Sequence, residues 1–139
     1  MRDKVFLDSN ILIYSLIEDR ENKHIKTFEL IKELEKSNKE IVLSVQVIGE
    51  TYNVWHKKYA KSPGEIVNKL EQIIENVTVV PITLETVKLN WELAKDNNYS
   101  YYDRLIIASA IENGCDILYS EDLHNAHKIK RLKIINPLI

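Results

Sequence analysis

Five short apolar, β-branched runs punctuate the chain, at residues 5–7, 41–43, 77–80, 117–119 and 132–135. Between them, apolar positions recur with a helical period. Ile48, Tyr52, Trp55 and Tyr59 are spaced to fall on one helical face, and so are Leu84, Val87, Trp91 and Ala94. Residues 22–37 predict a charged helix with Ile25, Phe28, Ile31 and Leu34 turned inward. Ser62, Pro63, Gly64 and Glu65 read as an N-cap, a proline at the first helical position and a glutamate able to close a capping box. Ile66, Leu70 and Ile73 then continue as the buried stripe. Gly114, after Ile111 and Asn113, marks a helix stop. Strands alternating with helices long enough for crossovers imply βαβ units and a parallel sheet covered on both faces. The fold class is α/β, with no internal repeat.

The 139 residues fit one domain, 1–139, of a size that buries roughly two thirds of the surface its unfolded chain exposes. Apolar residues make up 45% and charged residues 29%, with three glycines and three prolines, which leaves little material for disordered linkers. Met1 to Lys4 carry charge but lead into no apolar stretch of signal-peptide length, and no run approaches the ~20 residues of a membrane span. A cytoplasmic protein with no membrane contact is expected. The lone Cys115 excludes an internal disulfide and a cysteine-rich zinc cluster, and reads as a small buried hydrophobe. A net charge of −2 and a pI near 6.1 lack the basic footprint of an electrostatic nucleic-acid binder. They count less against a nuclease, because acidic metal ligands lower the pI while bound cations restore local positive charge.

Candidate chemistry sits where the strand-like runs end. Asp8 closes the first run, and Asp122 follows the fourth by only a Ser and a Glu. Glu50 lies on the helix after the second run, and Asp103 opens the apolar helix Leu105, Ile106, Ile107, Ala108. If the strands are parallel, all four carboxylates meet along one sheet edge, and the crevice outside the carboxyl ends of strands is where open α/β sheets bind ligands. Two unit charges ~4 Å apart repel by about 4 kcal/mol at an effective dielectric near 20. Something must neutralise such a cluster. Shared protons or arginines would serve, but hard divalent cations suit an all-oxygen pocket best, so Mg²⁺ or Mn²⁺ is expected. Such a metal activates water and polarises a phosphodiester, which points to hydrolysis of phosphate esters.

Neighbouring polar residues carry plainer readings as well. Asn10 either supports a metal-bound water or caps the next helix, and Ser44 and Ser120 either hydrogen-bond a carboxylate or phosphate or act as helix caps. Any single carboxylate near a helix start is more often a dipole-favoured surface group than a ligand. The basic stretches His56, Lys57, Lys58, Lys61 and Lys128, Lys130, Arg131, Lys133 are expected to be solvated faces. Tyr101 and Tyr102 beside Asp103 are placed to stack on a base, whereas Tyr52, Trp55 and Tyr59 suit a core or dimer surface. His124 and His127 are one helical turn apart, and a zinc pair is not expected there.

The order and spacing of these segments resemble the PIN-domain ribonucleases, in particular the compact VapC-like toxins of prokaryotic toxin–antitoxin pairs. The matching segments are Val5, Phe6, Leu7, Asp8, Ser9, Asn10; Leu43, Ser44 through Glu50; Tyr101 to Ala110 around Asp103; Leu118, Tyr119, Ser120, Glu121, Asp122, Leu123; and the tail Ile134, Ile135, Asn136, Pro137. The resemblance implies a three-layer fold with a central five-stranded parallel sheet ordered 3-2-1-4-5, and a pocket in which Asp8, Glu50, Asp103 and Asp122 hold Mg²⁺ or Mn²⁺. It further implies endonucleolytic cleavage of RNA, a homodimer, and a small antitoxin protein that blocks the pocket. Asp8 and Asp103 match the family's most regular ligands, while the position of Asp122 varies more among relatives. Arg104 stands where many relatives carry a small or apolar residue; it either pairs with a pocket carboxylate, contacts phosphate or makes a surface ion pair.

Other acidic α/β enzymes fit less well. A response-regulator receiver needs an aspartate after the third strand, where this chain reads Val79, Val80, Pro81, and a haloacid-dehalogenase-like phosphatase needs one where Asn10 stands. No Gly-rich phosphate loop is present. The alternative from another class is a PIN-like scaffold that binds RNA or protein without cleaving, and the intact acidic quartet argues against it.

Overall fold

Consecutive residues of the strand-forming runs are buried together, Val5 with Phe6 and Leu7, Val42 with Leu43. Neighbouring side chains on a strand point to opposite faces, so the sheet they build is covered on both sides. The structure, a computed structural model, describes residues 3–17 and 22–139. Its elements run β1 (Lys4–Leu7), α1 (Ser9–Leu16), α2 (Lys23–Lys36), β2 (Glu40–Ser44), α3 (Val45–Lys57), α4 (Pro63–Ile74), β3 (Thr78–Val80), α5 (Leu84–Leu93), α6 (Tyr101–Glu112), β4 (Ile117–Tyr119), β5 (Lys128–Ile129) and β6 (Leu132–Ile135).

The sheet order is β3-β2-β1-β4-β6-β5. Its first five strands are parallel and reproduce the expected 3-2-1-4-5 order. The sixth departs from the expected all-parallel sheet. Lys128–Ile129 folds back antiparallel on β6 through a two-residue turn at Lys130 and Arg131, with Lys130 at φ 53°. Two residues are too few to register as an alternating run. Crossovers of one hand carry the chain from β1 out to β3, and it then returns past β1 to β4, which puts α1–α4 and α5–α6 on opposite faces. The direction reverses at β1, so the crevice between the ends of β1 and β4 is the topological switch point. Leu7 pairs with Tyr119 and Tyr119 with Ile135, which brings the carboxyl ends of β1, β4 and β6 level.

Helix boundaries follow the capping signals. Ser62 accepts from the Glu65 backbone N–H, with Pro63 at the first position, and Ile66 and Leu70 are buried. Gly114 adopts φ +73°, the left-handed backbone that stops α6 at little cost to a glycine. Two predicted faces turn out differently. On α2, Thr27 and Leu34 are buried while Ile25 and Phe28 are exposed. At about 100° per residue, repeated steps of three drift around the helix, and Ile25 ends on the side opposite Leu34. On α5 the stripe containing Leu84 and Trp91 faces solvent, and Thr86, Asn90 and Leu93 face inward. Tyr59 lies past the end of α3 and is exposed, whereas Trp55 packs with Ile13, Ile66 and Leu70 in a second core between α1, α3 and α4. Cys115 is buried, and that burial pushes its thiol up to about 12, so it is an inert core group. No helix among the described residues is long and apolar enough to cross a membrane.

Candidate active site

Asp8 is the buried member of the site. The residue after the last position of β1, it also serves as the N-cap of α1, with backbone angles of −74° and 160°. Its Oδ1 accepts from the Ser9 backbone N–H at 2.7 Å and its Oδ2 from the Ser120 hydroxyl at 2.8 Å. Its own N–H donates to the Tyr119 carbonyl, so the carboxylate is fixed across the switch point. Burial nonetheless raises the Asp8 carboxyl to about 6, against the lowering effect of those two hydrogen bonds, and the charges of Glu50 and Asp103 raise it further. Three carboxylates from β1, α3 and α6 therefore share one electrostatic neighbourhood.

Their placement follows from the topology. A crossover helix runs antiparallel to the strands it joins, which sets the first turn of α6, and Asp103 within it, at the carboxyl edge of the sheet. Ser100 caps that turn by accepting from the Asp103 N–H at 3.2 Å. Asp122 is not among the charges that act on Asp8. It is exposed on the loop after β4, where Asn10 Nδ2 donates to its Oδ2 at 3.0 Å and the Glu121 N–H donates to Asn10 Oδ1 at 3.1 Å. Asn10 is thus neither cap nor free donor; it ties α1 to the loop that carries Asp122. Ser120 binds a carboxylate, while Ser44 is a helix cap, accepting from the Val47 N–H at 3.3 Å. Glu121 is drawn away to Tyr14, whose hydroxyl donates to it at 2.6 Å, and to Lys23 at 3.1 Å.

Two supports were not visible as site residues in the sequence. Gln46 Nε2 donates to Glu50 Oε2 and to the Tyr102 carbonyl, each at 3.2 Å, and so couples α3 to the first turn of α6. A glutamine four residues before a glutamate is the only local signal; the contact to α6 has none. Asn90, fully buried on α5, donates to the Tyr101 carbonyl at 3.0 Å and accepts from Arg104 Nε at 2.8 Å. Arg104 also donates through Nη1 to the Tyr99 carbonyl at 2.5 Å. Among the described residues Arg104 pairs with neither a pocket carboxylate nor a surface acid; its guanidinium holds the start of α6.

Among the described residues, none of the four carboxylates stands in an ion pair. No three His, Cys, Asp or Glu side chains among them are drawn together tightly enough to enclose an ion as they stand. The donor set itself fits a hard cation: all oxygen, unneutralised, with a raised Asp8 and a buried Gln46 Oε1 lacking any donor beside Glu50. His124 and His127 lie in an irregular loop, not on a helix, and their rings pack around Tyr99, whose hydroxyl shares a 2.7 Å hydrogen bond with His127 Nδ1. Lys128, Lys130, Arg131 and Lys133 are all exposed on the β5–β6 hairpin, as expected of a solvated face.

The model of the PIN domain matches residues 5–132. The chain belongs to the PIN-domain family. Its fold is shared with VapC20 of Mycobacterium tuberculosis, described as a sarcin–ricin loop cleaving toxin (TM-score 0.66, 20% identity, 85% of this chain and 89% of that one). A toxin–antitoxin complex from Klebsiella pneumoniae aligns with TM-score 0.68 and 19% identity over 96% of this chain and 97% of the other. VapBC2 from Rickettsia felis, bound to a DNA fragment from its promoter, aligns with TM-score 0.68 and 20% identity over 94% and 96%. Comparison with curated proteins yields no match. The similarity to VapC structures carries the PIN-like α/β architecture; the additional antiparallel β5 is a detail at the sheet's edge.

Proposed function

We propose that this PIN domain is a metal-dependent endoribonuclease, the toxin of a VapBC-like toxin–antitoxin pair. One observation carries the reading: a buried carboxylate at the switch point, Asp8, feels the charges of two further carboxylates, and among the described residues no basic side chain is paired to any of them. Asp8, Glu50, Asp103 and Asp122 would hold Mg²⁺ or Mn²⁺. When bound, that cation supplies Lewis-acid chemistry at a phosphodiester and lowers the pKa of water. The chain's own contribution is placement. Ser120 and the Ser9 N–H orient Asp8, Gln46 orients Glu50, Ser100 and the Asn90–Arg104 pair set the turn carrying Asp103, and Asn10 holds Asp122.

The related structures support the same reading, one being a sarcin–ricin loop cleaving toxin and two being a toxin–antitoxin complex and a VapBC2 assembly. RNA as substrate, a second copy of the chain and a small antitoxin as partners, and a cytoplasmic location follow from it. The test is to incubate the pure protein and Asp8→Asn with transfer, ribosomal and messenger RNA in Mn²⁺, Mg²⁺ or chelator. Cleavage by the wild type that chelation abolishes and Asp8→Asn lacks is the expected result. RNA binding without cleavage in any metal would replace the hydrolase by a non-catalytic scaffold.

A further inference from the structure

We propose that Tyr102 is the stacking platform for one unpaired nucleobase of the RNA, next to the phosphate held at the carboxylates; the inference deepens the hydrolase reading and rests on it. Tyr101 and Tyr102 open α6 immediately before Asp103, and the two residues are 39% and 65% exposed. An exposed aromatic ring on its own needs no explanation. Three further features set this pair apart.

The rings stand edge to face, centroids 5.2 Å apart at 81°, so Tyr101 braces Tyr102 from the side. The backbone beneath them is held from two directions, Asn90 donating to the Tyr101 carbonyl and Gln46 to the Tyr102 carbonyl. A ring fixed this way loses little freedom when a ligand lands on it. Finally, the electrostatics leave a gap that stacking fills. The site is acidic, and Arg104, the cationic side chain adjacent to Asp103, is committed to Asn90 and the Tyr99 carbonyl. Two of that guanidinium's five N–H groups are thus held by the protein, and no lysine or arginine among the described residues is paired with the carboxylates. Base–aromatic stacking supplies affinity that needs no positive charge and tolerates any base, because every base has a π face. It also requires the base to be out of a duplex, which selects single-stranded or looped RNA.

The experiment measures binding of a short fluorescein-labelled single-stranded RNA by anisotropy, with Ca²⁺ replacing Mg²⁺ and Mn²⁺ so that strands stay intact. Tyr102 is exposed, so Tyr102→Ala is expected to melt with the wild type. Its affinity for the single strand should fall roughly ten-fold, equivalent to about 1.4 kcal/mol, while Tyr102→Phe and Tyr102→Trp retain binding. A duplex of the same sequence should bind weakly and equally to wild type and Tyr102→Ala. Unchanged single-strand affinity in Tyr102→Ala overturns the proposal. So does a change in its mass by light scattering without a change in RNA binding, which would assign the ring to a contact between copies. Cleavage in Mn²⁺, scored in parallel, separates the two layers: RNA bound through Tyr102 but never cut sinks the hydrolase and keeps the platform. RNA cut equally fast by wild type and Tyr102→Ala at limiting substrate does the reverse.

Discussion

Asp8 is buried in a site where its own charge is unwelcome, and the price shows in its titration. Its carboxyl is raised from an ordinary 3.8 to about 6, first by burial and then by Glu50 and Asp103. Below about pH 4 the group is protonated in folded and unfolded chains alike, and no penalty exists. Between there and about 6 the folded chain keeps the proton that the unfolded chain releases, so stability falls as pH rises. Above 6 the full penalty stands, on the order of 3 kcal/mol. Asp8→Asn keeps the shape and lets the amide oxygen accept from the Ser9 N–H while its nitrogen donates to the Ser120 hydroxyl. In chelator at pH 8 the variant is therefore expected to melt above the wild type, with the advantage gone by pH 4. Melting curves that coincide across that range would mean Asp8 is not electrostatically strained. The position of Asp8 was legible in the sequence because a strand end is a local signal. Gln46 was not, since its partner on α6 is 56 residues away.

The first turn of α6 is an element held by others. Arg104 and Asn90 grip the carbonyls of Tyr99 and Tyr101 while bonding each other, and Gln46 reaches in from α3. Arg104→Ala leaves the Asn90 side-chain oxygen buried without a donor, a loss of about 1–3 kcal/mol. A clearly lowered melting temperature and weaker Mn²⁺ binding by titration calorimetry are expected together, because Asp103 is the preceding residue. Arg104→Lys should recover only part of both, as an ammonium lacks the planar fork that serves two acceptors. A variant that melts and binds metal like the wild type would show that the turn holds itself. The same contacts explain why the α5 face was misread from its pattern. Apolar periodicity assumes the apolar stripe faces inward, yet Thr86 and Asn90 are buried because each has partners, and Leu84 and Trp91 are left to solvent. On α2 the error was one of phase: steps of three do not keep to one face. The cap at Ser62 and the stop at Gly114 were read correctly because their chemistry is contained in a few adjacent residues, although Glu65 turns to the Ser62 hydroxyl and Lys61 and does not close a capping box.

At the scale of the whole molecule, the acidic neighbourhood exists only in the assembled sheet. Asp8, Glu50 and Asp103 lie far apart along the chain and meet because β1 and β4 flank the reversal of chain direction and α6 begins at the same edge. The parallel sheet was readable from alternating strands and helices, and its order only from the family resemblance; the antiparallel β5, fixed by a two-residue turn, was readable from neither. A cation that binds this neighbourhood therefore binds the folded chain and not the unfolded one, and its binding energy appears as stability. At a hundred times the dissociation constant the gain is about 2.7 kcal/mol, and for a domain of this size each kcal/mol moves the melting temperature by a few degrees. Mn²⁺ or Mg²⁺ is thus expected to raise the melting temperature at pH 8 by several degrees, and Asp8→Asn to lose most of that rise. The rise should also fade as pH falls through about 6, because a proton on Asp8 then competes with the cation for the same oxygens. The pH dependence separates this site from adventitious binding at exposed carboxylates, whose protonation lies nearer 4. A melting temperature indifferent to both metals, or raised equally in wild type and Asp8→Asn, would mean that the three carboxylates share a neighbourhood without sharing an ion.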